Sequence, residues 1–265
     1  MQQANDFLKD SLTLHELLET LDEACFSRAT QFKQWTVNDI LVHLHVFNRV
    51  AQWSLNEPER FEVFITEVRT AAAQGVHHQA LAYREVGSLR GRALCEAWHQ
   101  ECHTTAATFL HADPDQRVTW AGPPMTAAMS ITARQMEVWS HGQEIFDLLG
   151  KTREEHDRIK NIVLLGVMTF GWTFANRGLE RPAVKPYLKL TAPSGALWTF
   201  NDPSDIDCIE GLAVDFARVV TQTRNIADTD LKVTGAAGRD WMTLAQCFAG
   251  SPETPPPPGT RHRAA

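Results

Sequence analysis

Apolar residues recur at intervals of three and four through the first 178 positions, then give way to shorter alternating runs. "LTLHELLETLDEACF" has the spacing of a helix with one core-facing side. "QWTVNDILVHLHVFNRVAQW" opens on a start signal, with Thr36 as N-cap and Asp39 at the third helical position. Trp35 and Ile40 are spaced to form a hydrophobic staple. Pro58 suits the first turn of "PERFEVFITEVRTAAAQ", and Asp113-Pro114 stops "SLRGRALCEAWHQECHTTAATFLHA". A Gly/Pro loop, "DQRVTWAGPPMT", delivers "AAMSITARQMEVWSHGQEIFDLLG", which Gly150 caps. One further helix is predicted in "EEHDRIKNIVLLGVMTFGWTFANRG". Five or six helices with short links are the arithmetic of a bundle.

Beyond "RGLERPAV", the stretch "KPYLKLTAPSGALWTFND" alternates on both sides of Ala-Pro-Ser-Gly, as a hairpin does. "DCIEGLAV" and "DLKVTG" read as further strands, "DFARVVTQT" and "AGRDWMTLAQCFAG" as helices. The expected organisation is an α+β protein with a helical domain over 1–178 and a small α+β domain over 179–250. The tail at 251–265, "SPETPPPPGTRHRAA", lacks apolar anchors and is expected to be disordered.

Composition narrows the function classes. A net charge of -7 leaves no basic footprint for nucleic acid or an anionic membrane. The longest apolar runs, such as "IVLLGVMTFGW", are about half a membrane span, and "MQQANDFLKDSL" has no features of a signal peptide. Five scattered cysteines without a CxxC point to a reducing cytoplasm.

The chemistry concentrates in "QMEVWSHGQEIFD". At ~100° per residue, Glu137, His141 and Glu144 share one side of the helix, with Ser130 and Arg134 beside them. A Glu and a His four apart meet over one turn and can hold one divalent ion, which then needs a third ligand from elsewhere. His43 lies near the apolar arc of its helix and supplies that ligand, whereas His45 falls among Leu41, Asn48, Arg49 and Gln52 and is expected to face outward. Spacing alone leaves open the alternative of ordinary core histidines. A competing pair, His99 and His103 in "WHQECH", has polar neighbours and reads mostly as a solvated face. His77-His78 fall in a Gly-flanked loop, and Trp120 lies in the loop entering the Glu137 helix.

Three segments together resemble a known family. "WTVNDILVHL", "TWAGPPM…TARQMEVWSHGQEIFDLLG" and "DFARVVTQTRNIADTDLKVTG…FAG" are similar, in order, to motifs of the DinB-like mycothiol-dependent maleylpyruvate isomerase group. The likeness is greatest to an uncharacterised metal-binding branch, so no substrate carries over. The resemblance implies an N-terminal DinB-like four-helix bundle followed by a sterol-carrier-like α+β domain. It also implies a divalent metal, zinc before nickel, iron or manganese, on His43, Glu137 and His141, the three residues that the helical wheels select. Where the family often has Asp, this chain has Glu144, whose expected role is to act on the reaction from behind the ligands. An arginine of the C-terminal domain faces the cleft in the isomerases; Arg224 is its nearest match and Arg218 the alternative. Trp120 and Arg134 are the expected cofactor-binding residues. The implied activity is isomerisation or modification of a small anionic metabolite with a low-molecular-weight thiol, a homodimer being left open as the assembly. Hydrolysis by metal-bound water and non-catalytic binding of an apolar ligand stand as alternatives.

Overall fold

A computed structural model describes residues 1–120, 122 and 124–264. Ala121 and Pro123, in the loop expected at 115–126, lie outside the described residues. In chain order the first unit holds α1 (Gln2–Glu19), α2 (Val37–Asn56), α3 (Pro58–Ala73), α4 (His78–Val86) and α5 (Gly91–Leu110). The short pair β1 (Arg117–Val118) and β2 (Met125–Thr126) and then α6 (Ala127–Leu148) complete it. Helix α1 packs on α5 and α6, and α2 packs on the same two, which closes a four-helix ring. The expected start of α2 is present as a capping box: the Thr36 side chain accepts from the Asp39 N–H at 3.1 Å, and Asp39 accepts from the Thr36 N–H at 2.8 Å.

Helix α2 is buried nearly all round, which corrects the outward placement of His45. His45 and His43 are equally hidden, each 8% exposed, and Asn48 is fully enclosed. The polar arc of α2 meets α5: Asn48 Nδ2 donates to Cys102 Sγ at 3.6 Å, and Gln52 donates to Thr105 Oγ1 at 2.9 Å and to Glu101. Helix α4 replaces the loop expected around His77-His78. His77 Nδ1 accepts from the Gln79 N–H at 3.2 Å to cap it, and Gln79 and Tyr83 tie it to Asp39 of α2.

The second unit contains α7 (Lys160–Met168), α8 (Phe170–Ala175), β3 (Tyr187–Thr191), β4 (Leu197–Phe200), β5 (Cys208–Leu212), α9 (Ala213–Val220), β6 (Lys232–Thr234) and α10 (Ala236–Leu244). Its sheet runs β4-β3-β5-β6, antiparallel except for the parallel β3–β5 pair, and the expected hairpin is β3–β4 with Leu188 opposite Phe200. The single helix expected over 154–178 is broken at Thr169, whose hydroxyl donates back to the carbonyls of Leu165 and Gly166.

The chain divides after Leu148, not at the expected 178. The reason is that α7 packs on α9. Gly166 makes the close approach possible, since a Cβ there would lie 2.9 Å from Val220 Cγ2 and 3.0 Å from Phe216. Trp241 stands edge-on to Phe170 and Phe216 in the same core. The tail is also not free. Its carbonyls accept hydrogen bonds from Gln222 and Arg177 at Glu253 and from Asn225 at Pro256, so polar anchors replace the apolar ones that the sequence lacks. Among the described residues no helix is long and apolar enough to cross a membrane.

Candidate metal centre

Within the first unit, α2 and α6 lie side by side and present His43, Glu137 and His141 to one another. His43 Nε2 lies 3.0 Å and His141 Nε2 3.2 Å from Glu137 Oε2, and one ligand atom from each residue falls within 4.8 Å of the others. Four-coordinate zinc with bonds of ~2.0–2.1 Å sets neighbouring ligand atoms about 3.3–3.4 Å apart, so the triad has the span and the N, N, O donor set of such a site.

The protonation states suit that role. Burial pushes His43 down to about 4, the opposing pull of Glu137 notwithstanding, so its ring is neutral at pH 7. Burial alone would raise the Glu137 carboxyl. Its bonds with His141 and His43 and the charge of Arg134 outweigh that penalty and hold it well below the ordinary carboxylate value. A divalent ion would displace no proton from His43 or Glu137.

Aromatic rings wall the triad. Trp35 stacks parallel to His141 at 5.7 Å and leans on His43 at 5.6 Å, while Phe32 meets His141 edge-on at 5.1 Å. Phe47 lies 4.8 Å from His43, and His78 lies 5.7 Å from it with its Nε2 buried and without a protein partner. Of these, sequence reasoning assigned Trp35 only a staple and left His78 in a loop. The signal for Trp35 was its place one residue before the N-cap of the helix that carries His43.

Arg134, 3% exposed, sits one turn before Glu137, its Nη2 3.7 Å from Glu137 Oε1. Its guanidinium lies 5.4 Å from the Trp120 ring and 5.9 Å from Phe47, and Trp120 stacks on Phe61 at 6.0 Å. The Arg134 Nε and Nη1 are buried with no protein acceptor. A buried charged donor left so costs about 1–3 kcal/mol or more, an outlay that an anion beside the triad would recover.

Glu144 is buried on α6 at 2% exposure, but it is not in the three-residue cluster. Arg224 and Arg218 belong to the second unit. There Arg224 Nη1 donates to the Thr223 carbonyl at 2.8 Å, and Arg218 pairs with Asp215 at 3.1 Å.

Comparison with known proteins places this geometry in a lineage. Two uncharacterized proteins of Mycobacterium tuberculosis, from strains CDC 1551 / Oshkosh and ATCC 25618 / H37Rv, are each 30% identical over 247 residues, 93% of this chain and 95% of theirs. A crystal structure of the mycothiol-dependent maleylpyruvate isomerase has a TM-score of 0.53 at 17% identity, covering 89% of this chain and 92% of that one. A mutant of that enzyme gives 0.52 at 16% identity, covering 82% and 87%. At those identities the solved structures establish the shared α+β fold with its helical N-terminal domain. The family model for the mycothiol maleylpyruvate isomerase N-terminal domain matches residues 12–146, which spans all three residues of the triad, and the chain belongs to that family.

Proposed function

We propose that the chain is a divalent-metal-dependent enzyme that uses a small thiol to isomerise or modify a small anionic metabolite. The observation that carries this reading is the pairing of a two-histidine, one-carboxylate triad with the buried, unpartnered N–H groups of Arg134. His43, Glu137 and His141 would hold the metal, leaving a fourth position open. A divalent cation there supplies the positive charge that lowers the pKa of a thiol presented to it. Arg134 would donate one of its unpartnered N–H groups, Nε or Nη1, to a substrate carboxylate, which orients the substrate relative to the thiol. Trp35 fixes the His141 ring, and Phe47 and Trp120 keep water from the guanidinium. Mycothiol, named in the matched structures, is the first thiol to test. The five cysteines, none of them in a disulfide, accord with a reducing cytoplasm.

The test is metal analysis of purified protein together with turnover of small unsaturated dicarboxylates across a panel of biological thiols. Wild type should retain a divalent ion that His141→Ala and Glu137→Gln lose, and turnover should require a thiol. Metal content indifferent to both substitutions, or turnover without thiol, would overturn the reading.

A further inference from the structure

A second group of potential ligands lies on the other pair of helices, α1 and α5, and shares no residue with the triad. His15 comes from α1, while Glu96 and His99 come from α5, and one ligand atom from each lies within 4.8 Å of the other two. His15 is 6% exposed, and its Nε2 is buried without a hydrogen-bond partner, 3.9 Å from Glu96 Oε1 and so beyond hydrogen-bond reach. Its Nδ1 is 4.0 Å from Glu19 Oε1. The rings of His15 and His99 stack at 3.7 Å with 14° between their planes. One turn further along α5, His103 Nε2 lies 3.2 Å from His99 Nε2.

The His99–His103 contact is a hydrogen bond between imidazoles, but the His15–His99 stack and the orphaned buried nitrogen beside it need a common explanation. Core packing does not give it, because His103 and Glu96 are exposed and gain nothing from burial. Ordinary solvation does not give it either, because His15 Nε2 is out of water.

We propose that His15, Glu96 and His99 form a second divalent transition-metal site, with His103 as an additional donor, that clips α1 to α5. The imidazole-rich donor set selects zinc, nickel or copper over magnesium or calcium. Metal bound to the native chain and not to the unfolded one stabilises the bundle by mass action, so the site acts on α1, the outermost element of the ring in sequence. Stacked rings direct their in-plane lone pairs along nearly parallel planes. Binding therefore turns His99 out of the stack, a motion its partial exposure allows, while His15 stays fixed by burial.

The experiment is calorimetric titration of zinc chloride into the untagged, metal-stripped full chain. Wild type should bind two equivalents, and a His43→Ala/His141→Ala chain should bind one, with a rise in Tm on zinc addition. Adding Glu96→Gln and His99→Ala, both on the accessible face, should weaken that remaining equivalent at least tenfold. In the otherwise wild-type chain the same pair should reduce two equivalents to one, which keeps the test open if the triad variant does not fold. The proposal is overturned if zinc binding to the wild-type chain, in number of equivalents and in affinity, is unchanged by Glu96→Gln/His99→Ala. That result does not bear on the thiol-dependent reaction, which the triad variants and the thiol panel test separately.

Discussion

Acid should destabilise the helical bundle at pH values where carboxylates are still ionised, because its buried histidines must take up protons. Burial lowers His43 and His45 to about 4 each, against ~6.5 in an unfolded chain. Between pH 6.5 and 4 the unfolded chain therefore binds more protons than the native one, so stability rises with pH across that window and falls on acidification. For one such group the change from pH 7 to pH 5 is about 1.8 kcal/mol, with a slope near 1.2 kcal/mol per pH unit. Two groups cost roughly 3.7 kcal/mol, a large share of a typical ~5–15 kcal/mol. His78, depressed to about 3 mainly by burial, acts in the same direction. Glu137, held low, loses its contribution only further down. The assay is urea denaturation at half-unit pH steps in chelator, followed by tryptophan fluorescence. His45→Leu isolates the effect, since His45 is 8% exposed, its Nδ1 has no partner to lose, and it lies outside the triad. That variant should lower the slope between pH 5 and 6 by about one proton's worth. A flat profile over that interval, or a slope that His45→Leu leaves unchanged, refutes the reasoning.

Arg134→Met should weaken binding of a small dicarboxylate such as maleate by about 10–100-fold, the value of one charged hydrogen-bonding contact of ~1.5–3 kcal/mol, while metal content stays intact; calorimetry on both chains measures this. Trp35→Leu removes the ring stacked on His141 and should weaken zinc affinity by roughly tenfold without unfolding the bundle, read by competition with a chromophoric chelator. Gly166→Val forces a side chain into the α7–α9 contact, where even a Cβ would meet Val220 at 2.9 Å, and should cost about 1–3 kcal/mol of stability in thermal unfolding.

The ring of helices was legible because its signals are local. Thr36 and Asp39 mark a start that tertiary packing had no reason to override, and the hairpin at 187–200 follows from its turn residues. The triad was legible because Glu137 and His141 are four apart on one helix and His43 falls near an apolar arc. What failed did so through neighbours that a single helix cannot reveal. His45 looked exposed because the wheel of α2 has a polar arc, and that arc meets Asn48–Cys102 and Gln52–Thr105 contacts with α5 rather than water. The domain boundary was missed because α7 continues the helical pattern of the bundle while its Gly166 fits only α9. His99 read as a solvated residue because its partner, His15, is more than eighty positions away on α1.

The unpaired polar atoms explain why the bundle does not simply fill its centre with leucine. Around the triad, Arg134 Nε and Nη1, His43 Nδ1 and His78 Nε2 are all buried without a protein partner. At about 1–3 kcal/mol for each unsatisfied group, that region carries a penalty comparable to the net stability of a domain. Apolar packing elsewhere in the ring must offset it: Phe7, Trp98, Phe109 and Trp139 are all fully enclosed. A ligand that satisfied even two of those atoms would be held by free energy already spent in folding. Metal and anion should therefore bind cooperatively. Once the cation neutralises Glu137, Arg134 loses its only charged neighbour within 4 Å among the described residues and gains affinity for a substrate carboxylate.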